Sequence, residues 1–335
     1  MGIKSLNTLI KNHTNNGEKK YHLSKFKGMK FAIDTNLYLY KYLYGKKNHI
    51  NGIFFMINKL KKFNITPIFI FDGKPPEEKN SKIIERKYIK TKLQKRLQEL
   101  KMNLDDDSLE NEIVTDIHDK ISNIEKRILY VDKDIIEKTM KLFDLMGIAY
   151  ICADCEAEHY CSKLSMLNLV DGVISEDTDT LACGSKLIIR QFSNKDDSVN
   201  CYNLDEILYD LDLSYTSFVD VCILLGNDYN NRPKGLTIDS IYTLIKKHKS
   251  IEKLIELDLI SVNFDYKAIR NIINLNDIQP NFIKLACQLS KKSDIFGLEN
   301  FLKNNSTIEE KTFKHRINLI YNKNKSNYPI SFQKF

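Results

Sequence analysis

The sequence predicts an α/β fold: a mostly parallel central sheet flanked by helices. Three observations carry this expectation. Residues 148–184 hold two short apolar runs, Ile148–Cys152 and Gly172–Ser175, around a helical stretch. That strand–helix–strand length reads as a βαβ crossover, which forces parallel strands and a right-handed connection. Residues 67–71 (PIFIF) form an unbroken apolar run of the kind a strand covered on both faces shows. Three predicted strands also end in an acid, at Asp34, Asp72 and Asp177. Ligands of parallel sheets lie beyond the carboxyl ends of the strands, so these acids fall on one edge with Glu156 and Glu158.

Taken in order, residues 1–28 offer one short apolar group, Ile3, Leu6 and Ile10, and then a polar loop rich in Asn and Lys. A strand over 29–33 leads into a helix over 37–44. Ile53, Met56, Ile57 and Leu60 recur at helical spacing and predict a second helix over 52–62. After the 67–71 strand, Gly73-Lys74-Pro75-Pro76 breaks the chain, and a long helix is expected from Glu77 to about Lys101. Residues 104–125 are weakly periodic and read as a surface helix or crossing segment. Ile136, Met140 and Phe143 mark an amphipathic helix that stops at Gly147, a usual C′ residue. Beyond the βαβ unit, a strand is expected over 186–192, a short helix over 204–208 and an apolar helix over 215–226. Thr237 is placed to cap a helix over 238–247. The last hundred residues read as helical and basic.

The totals narrow the function. At 335 residues the chain is long enough for a sizeable core, and no apolar run approaches the roughly 20 residues of a membrane helix. Net charge is +7, and its distribution says more than its size. Residues 73–101 hold ten Lys/Arg against four Glu, a local excess of +6 that suits a polyanionic partner. Seven cysteines, scattered through predicted core elements, argue for a reducing compartment rather than a disulfide framework. Cys152 and Cys155 make a lone C-x-x-C with no second pair, so they read as strand-end and helix-entry residues.

Seven acids are candidates for chemistry: Asp34, Asp72, Glu156, Glu158, Asp177, Asp179 and Asp228. Alone, Asp34 reads equally as a helix N-cap, Asp72 as a turn residue, and Asp228 as part of Gly-Asn-Asp turn chemistry. Together they would repel unless cations held them. An oxygen-only donor set suits Mg²⁺ or Mn²⁺ rather than zinc, and two such ions about 3.5–4 Å apart clamp a phosphodiester. Asp177 and Asp179 are two apart, so an extended segment would point both to one face. Glu156 and Glu158 cannot share a face of a regular helix, so they are expected at its first turn or divided between two ions.

At this point the motifs resemble those of the flap endonuclease/XPG family of structure-specific 5′ nucleases. They are MGIKSL (1–6), FAIDTNLYLY (31–40), FDGKPPEEK (71–79), LMGIAYICADCEAEHYC (145–161), ISEDTDTLACG (174–184) and CILLGNDY (222–229), then KKHKSIEKLI (246–255). They stand in family order and cover roughly residues 1–256. The resemblance implies a PIN-like sheet, a helical arch over about 77–125, and a nuclease core over 1–234. It also implies a helical C-terminal region over 235–335 with a divergent helix-two-turn-helix. The seven acids would hold two Mg²⁺ ions, with Mn²⁺ able to substitute; Asp34, Asp72, Glu156 and Glu158 would lie mostly toward one ion and Asp177, Asp179 and Asp228 toward the other. Lys79 and Arg86 match the basic pair that reaches the scissile phosphate. Tyr40 matches an aromatic that stacks on a base, and Lys82 belongs to the same basic arch helix. Two departures are present. The hairpin is Gly235-Leu236-Thr237 without the family's following Pro-Lys, leaving Lys234, Lys246 and Lys247 as phosphate contacts there. Residues 331–335, SFQKF, do not match the sliding-clamp peptide.

The resulting expectation is a Mg²⁺-dependent 5′ endonuclease/exonuclease. It would act as a monomer on flaps, junctions, gaps or nicks in DNA, inside a nucleus or a viral replication site. Two rivals use the same residues differently: a junction-binding module whose acids hold a structural ion, and a PIN-like or 5′-exoribonuclease-type RNA nuclease. The spacer between Asp72 and Glu156 is short, which resembles the replicative flap branch more than the excision-repair branch.

Overall fold

A computed structural model describes residues 2–44, 48–104, 111–275 and 278–321. The non-matching tail at 331–335 lies outside these residues. The chain opens with α1 (Leu6–His13), β1 (Lys19–His22), β2 (Lys30–Asp34), α2 (Thr35–Tyr44), α3 (His49–Lys62) and β3 (Thr66–Phe71). A single 3₁₀ turn (Glu77–Lys79) leads into α4 (Asn80–Leu104), followed by α5 (Asn111–Ile128) and α6 (Lys133–Met146). Next come β4 (Ala149–Cys152), α7 (Ala157–Met166), β5 (Gly172–Ile174), α8 (Asp179–Ala182), β6 (Leu187–Arg190) and β7 (Ser198–Asn203). The rest is helical: α9 (Leu204–Leu211), α10 (Tyr215–Leu225), α11 (Ile238–His248), α12 (Ile251–Glu256), α13 (Tyr266–Ile273), α14 (Phe282–Leu289), α15 (Ile295–Asn305) and α16 (Glu310–Tyr321).

The seven strands form one sheet in the order β1-β7-β6-β5-β2-β3-β4. Strands β2 to β6 are parallel, with Phe31 opposite Pro67 and Gly172, and Ile70 opposite Ile151. The mostly parallel sheet expected from sequence is therefore present, with two refinements. Strands β4 and β5, the two ends of the predicted crossover, are parallel but separated by β2 and β3. An antiparallel pair, β7 on β6 and β1 on β7, extends the other side. Strand β1 falls within what reads from sequence as a polar loop. Its KKYH burial alternates and only one side chain in two packs, so apolar content could not mark it.

Side-chain alternation decides the two layers. Phe31, Ile33, Phe69 and Phe71 face one core, with residues of α2, α3, α6, α15 and α16. Ala32, Ile68, Ile70, Ala149 and Ile151 face the other, against Ala157, Tyr160, Cys161 and Leu164 of α7. Covering both faces is why these strands read as unbroken apolar runs. Phe69 stacks on Phe143 with ring centroids 4.4 Å apart, a pair worth roughly 0.5–1.5 kcal/mol beyond its buried area. A third core joins α1 to α8–α13.

Helix boundaries follow local chemistry. Asp132 caps α6 by accepting from the Ile135 amide, and Gly147 ends it at φ 61°, in the left-handed region that glycine enters without strain. Thr237 caps α11 as expected, in a reciprocal box with Ser240. Helices α4 and α5 run antiparallel: Leu100 packs with Ile117 and Ile121, while Lys90 Nζ reaches the Leu129 carbonyl. That small cluster is separate from the main cores, and Ile84 and Tyr88 on α4 stay exposed at 68% and 70%. The expected arch is thus a helical hairpin with its own thin core. Among the described residues no helix is long and apolar enough to cross a membrane.

Candidate metal centre

The site forms at the carboxyl edge of the parallel strands. Asp34 is the last residue of β2, and Asp72 follows β3 directly. Asp34 Oδ1 accepts from the Leu37 amide at 3.1 Å, so it caps α2 while its carboxylate faces the cluster. The cap and the acid-cluster readings of this residue hold together. Asp72 Oδ1 accepts from the Ala157 amide at 2.9 Å, which ties the end of β3 to the start of α7. Glu156 is the N-cap of α7, with ψ 139°, and Glu158 lies in its first turn. This is the arrangement two glutamates at that spacing require if both are to reach one site.

Asp177 and Asp179 converge for a reason other than extended backbone. Thr178 is helical and Asp179 begins α8; the Asp179 amide donates to Asp177 Oδ1 at 3.0 Å. Oxygens of Glu158, Asp177 and Asp179 lie within 4.8 Å of one another, and all three side chains are buried. Glu158 therefore stands with Asp177 and Asp179 as well as with Glu156. Gly2 is folded against this group at φ 106°, where a Cβ would collide with Asp177 Oδ1 and Thr178 Oγ1. The seventh acid, Asp228, follows α10 through Gly226 and Asn227.

Crowding like charges away from water favours protonation. Burial, then the charge of Asp72, pushes Asp34 up to about 8. Burial also raises Asp72 and, well above the usual carboxylate range, Glu158 and Asp179; Asp177 adds to both of the latter. Asp228 differs: burial opposes its ionisation, but Lys79 and Arg86 outweigh burial and hold it below the ordinary value.

Both basic residues come from the base of the arch. Lys79 sits in the 3₁₀ turn, only 8% exposed, and donates to Glu156 Oε1 at 2.6 Å. Its ammonium also lies 3.1 Å from Asp228 Oδ2. Arg86, seven residues on, forks onto Asp228 at 2.9 and 3.1 Å. A cavity of about 300 Å³ opens between them, lined by Asp34, Asp72, Glu158, Asp177 and, at its mouth, Tyr40 and Arg86. Tyr40 is 39% exposed there. Lys82 pairs with Glu85 on the same helix; Lys234 and Lys247 are exposed, and Lys246 lies near Tyr242 and Asp212.

The residues fit divalent ions. Asp179 Oδ1 is buried without a hydrogen-bond partner, an orphan acceptor aimed into an all-carboxylate corner. Three further residues complete the site. Tyr229 Oη donates to Glu156 Oε2 at 3.3 Å, and the Asn36 side chain bonds Asp72. His159, whose protonated form burial disfavours down to about 4, lies beside Glu156. Tyr229 stands next to Asp228 in the GNDY motif. His159 gave no signal beyond lying between two motif residues.

A parallel sheet whose carboxyl edge gathers seven acids beneath a basic helical hairpin defines the class of divalent-metal-dependent PIN-like nucleases. The comparisons agree. Residues 1–93 match the XPG N-terminal domain and residues 147–228 the XPG I-region. Flap endonuclease 1 of Enterocytozoon bieneusi is 34% identical over 288 residues, covering 81% of this chain and 77% of that protein. The enzyme of the same name from Lodderomyces elongisporus is 30% identical, covering 92% and 84%. In structure, flap endonuclease-1 from Methanococcus jannaschii superposes with a TM-score of 0.68 at 24% identity, covering 92% of this chain and 97% of that one. The catalytic core of Rad2 in complex with DNA substrate gives 0.64 at 23%, covering 95% and 99%. The chain belongs to the flap endonuclease/XPG family of structure-specific 5′ nucleases.

Proposed function

We propose that this chain hydrolyses phosphodiesters of branched DNA, at 5′ flaps or junctions, with two Mg²⁺ ions that Mn²⁺ can replace. Asp34, Asp72, Glu156, Glu158, Asp177, Asp179 and Asp228 would hold the ions. When bound, the ions supply Lewis-acid activation of water and charge to stabilise the leaving oxygen. Lys79 and Arg86 would bind the non-bridging oxygens of the scissile phosphate, exchanging carboxylate partners for phosphate. Tyr40 at the cavity mouth would stack on the neighbouring base, a contact indifferent to sequence. Lys82 would follow the single strand through the arch, while Lys234, Lys246 and Lys247 would hold duplex phosphates. In this reading residues 1–234 form the nuclease core and 235–335 the duplex-binding region of a monomer working in the nucleus or at a viral replication site.

The observation that carries the reading is the convergence of two cations from the arch base on the acids of the sheet edge. The test is a 5′-labelled DNA flap incubated with Mg²⁺ or with EDTA, beside an RNA flap of matched sequence. Cleavage of the DNA flap near its junction, abolished by EDTA, is expected. Binding without cleavage would support the junction-binding module instead, and preferential cutting of the RNA would support the ribonuclease.

A further inference from the structure

The acid cluster holds a nitrogen donor that an oxygen-only centre would not need. Glu156, Glu158 and His159 each offer one donor atom, and the three atoms lie within 4.8 Å of one another. The His159 side chain is only 4% exposed, buried on the same first turn of α7 that presents Glu158. Its hydrogen-bond contact is Tyr229 Oη, 3.5 Å from Nε2, at the outer limit of such a bond. That hydroxyl carries one proton and lies closer, at 3.3 Å, to Glu156 Oε2. A charged acceptor takes such a proton in preference to a neutral ring nitrogen. Among the described residues the imidazole is thus held at the cluster by that one weak hydrogen bond.

Donors bound to one ion at about 2.1 Å each stand at most about 4.2 Å apart. Neighbouring donors on one ion stand about 3.0 Å apart, so closing shifts on the order of 1 Å would let a ring nitrogen of His159 share an ion with Glu156 and Glu158. Magnesium keeps oxygen ligands and gives up water reluctantly, so the ring adds nothing to its binding. Divalent 3d ions accept imidazole, increasingly so from manganese to cobalt.

We infer that His159 is a nitrogen ligand at the Glu156/Glu158 position and biases this centre toward 3d transition ions such as Mn²⁺ or Co²⁺ over Mg²⁺. The inference rests on reading the acid cluster as the divalent-metal centre. The alternative is a positioning role, in which His159 merely donates to Tyr229 and steadies Glu156 through it.

The test reads metal binding rather than cleavage. Full-length protein loaded with Mn²⁺ is examined by pulsed EPR, unlabelled and with ¹⁵N-histidine. Mn²⁺ and Mg²⁺ affinities are then measured for the native protein and for His159→Gln, whose amide can still bond Tyr229. Nitrogen modulation that changes with the isotope and disappears in His159→Gln is expected. A loss of Mn²⁺ affinity of at least about tenfold should accompany it, with Mg²⁺ affinity held within about twofold. Absence of histidine modulation in the native protein overturns the inference even if the variant fails to fold, as does modulation that survives His159→Gln. Equal losses for both metals identify the positioning role and overturn it as well. A native protein that shows the nitrogen signal but leaves DNA flaps uncut with Mg²⁺ would remove the proposed function alone.

Discussion

Lys79 Nζ bridges Glu156 and Asp228, 2.6 Å from one carboxylate and 3.1 Å from the other, although the two acids belong to different elements. This ammonium, with the Arg86 guanidinium on Asp228, thus partly neutralises an edge otherwise built of acids. Burial opposes its charge, but Glu158, Glu156 and Asp228 more than compensate and hold Lys79 above its ordinary value. This lysine is a resident cation at a site proposed for divalent ones, and it must share or yield its acids when metal and phosphate arrive.

Lys79→Ala removes that competition. In DNA-free protein, Mn²⁺ or Ca²⁺ should bind more tightly, on the order of tenfold if the lost repulsion is about 1–2 kcal/mol. Calorimetric titration reads this. Single-turnover cleavage of a flap should nonetheless slow by roughly 10²-fold, and further with Arg86→Ala, because a cation aimed at developing phosphate charge is lost. A variant that lost affinity for DNA while keeping its rate would make the arch base a docking surface instead.

Asp179→Ala separates metal holding from DNA holding. Among the described residues Oδ1 makes no protein hydrogen bond, and the carboxylate's backbone bond is to Ile3 alone. Cleavage should fall by more than about 10³-fold while flap affinity, set by cations elsewhere, stays within about threefold. Removing a buried carboxylate beside Asp177 and Asp228 should also raise the melting temperature in EDTA by about 1–2 °C, for roughly 1 kcal/mol of relieved desolvation and repulsion. Cleavage by this variant at the native rate would remove the metal reading.

Arg270→Met tests how the C-terminal helices are locked. Arg270 donates through Nε and Nη2 to Asp220 Oδ1 at 2.9 and 2.6 Å, and through Nη1 to Glu252 at 2.7 Å. Asp220 is 2% exposed, and its other oxygen accepts from the Ile251 amide at 3.0 Å. Losing the arginine strands a buried carboxylate, at a cost of roughly 3–5 kcal/mol. Urea denaturation should show this, and adding Asp220→Asn should recover part of it.

Much of this arrangement was legible because its signals are local. Apolar runs mark β3 and β5, since both faces of the sheet are covered. Terminal acids mark the edge, and Gly147 and Thr237 mark helix ends. What stayed hidden depends on partners distant in sequence. Strand β1 is polar and exists because β7 offers it a ladder, with Lys19 opposite Cys201. The order of strands, which puts β2 and β3 between β4 and β5, is a property of the assembled sheet. The pairing of Asp177 with Asp179 came from a correct spacing and an incorrect backbone, since an Asx turn leading into a helical turn replaces the extended segment. His159 is one residue from Glu158, yet only α7 packing against the sheet shows that it turns inward.

Lys61→Met addresses a charge far from the acids, at the opposite edge of the sheet, where a cavity of about 210 Å³ is lined by Thr66, Pro67 and Ala149. Among the described residues the Lys61 ammonium meets only uncharged groups, the Met146 carbonyl at 3.4 Å, the Tyr321 hydroxyl at 3.2 Å and the Tyr321 ring at 4.5 Å. Burial lowers its pKa from 10.5 to about 8. Below pH 8 folded and unfolded chains both carry the proton, so the folded state bears the full desolvation cost. Between pH 8 and 10.5 the folded state has released the proton while the unfolded state still binds it, so this contribution to stability rises with pH. Methionine avoids the cost at every pH and fills similar volume. The variant should therefore be more stable than the native protein at pH 7, by about 1–3 kcal/mol after allowing for partial exposure. The gain should shrink as pH approaches 10, with flap cleavage unchanged. Urea midpoints at pH 7 and pH 9.5 decide it: a gain that stayed constant across that range would show that packing, not charge, sets the effect.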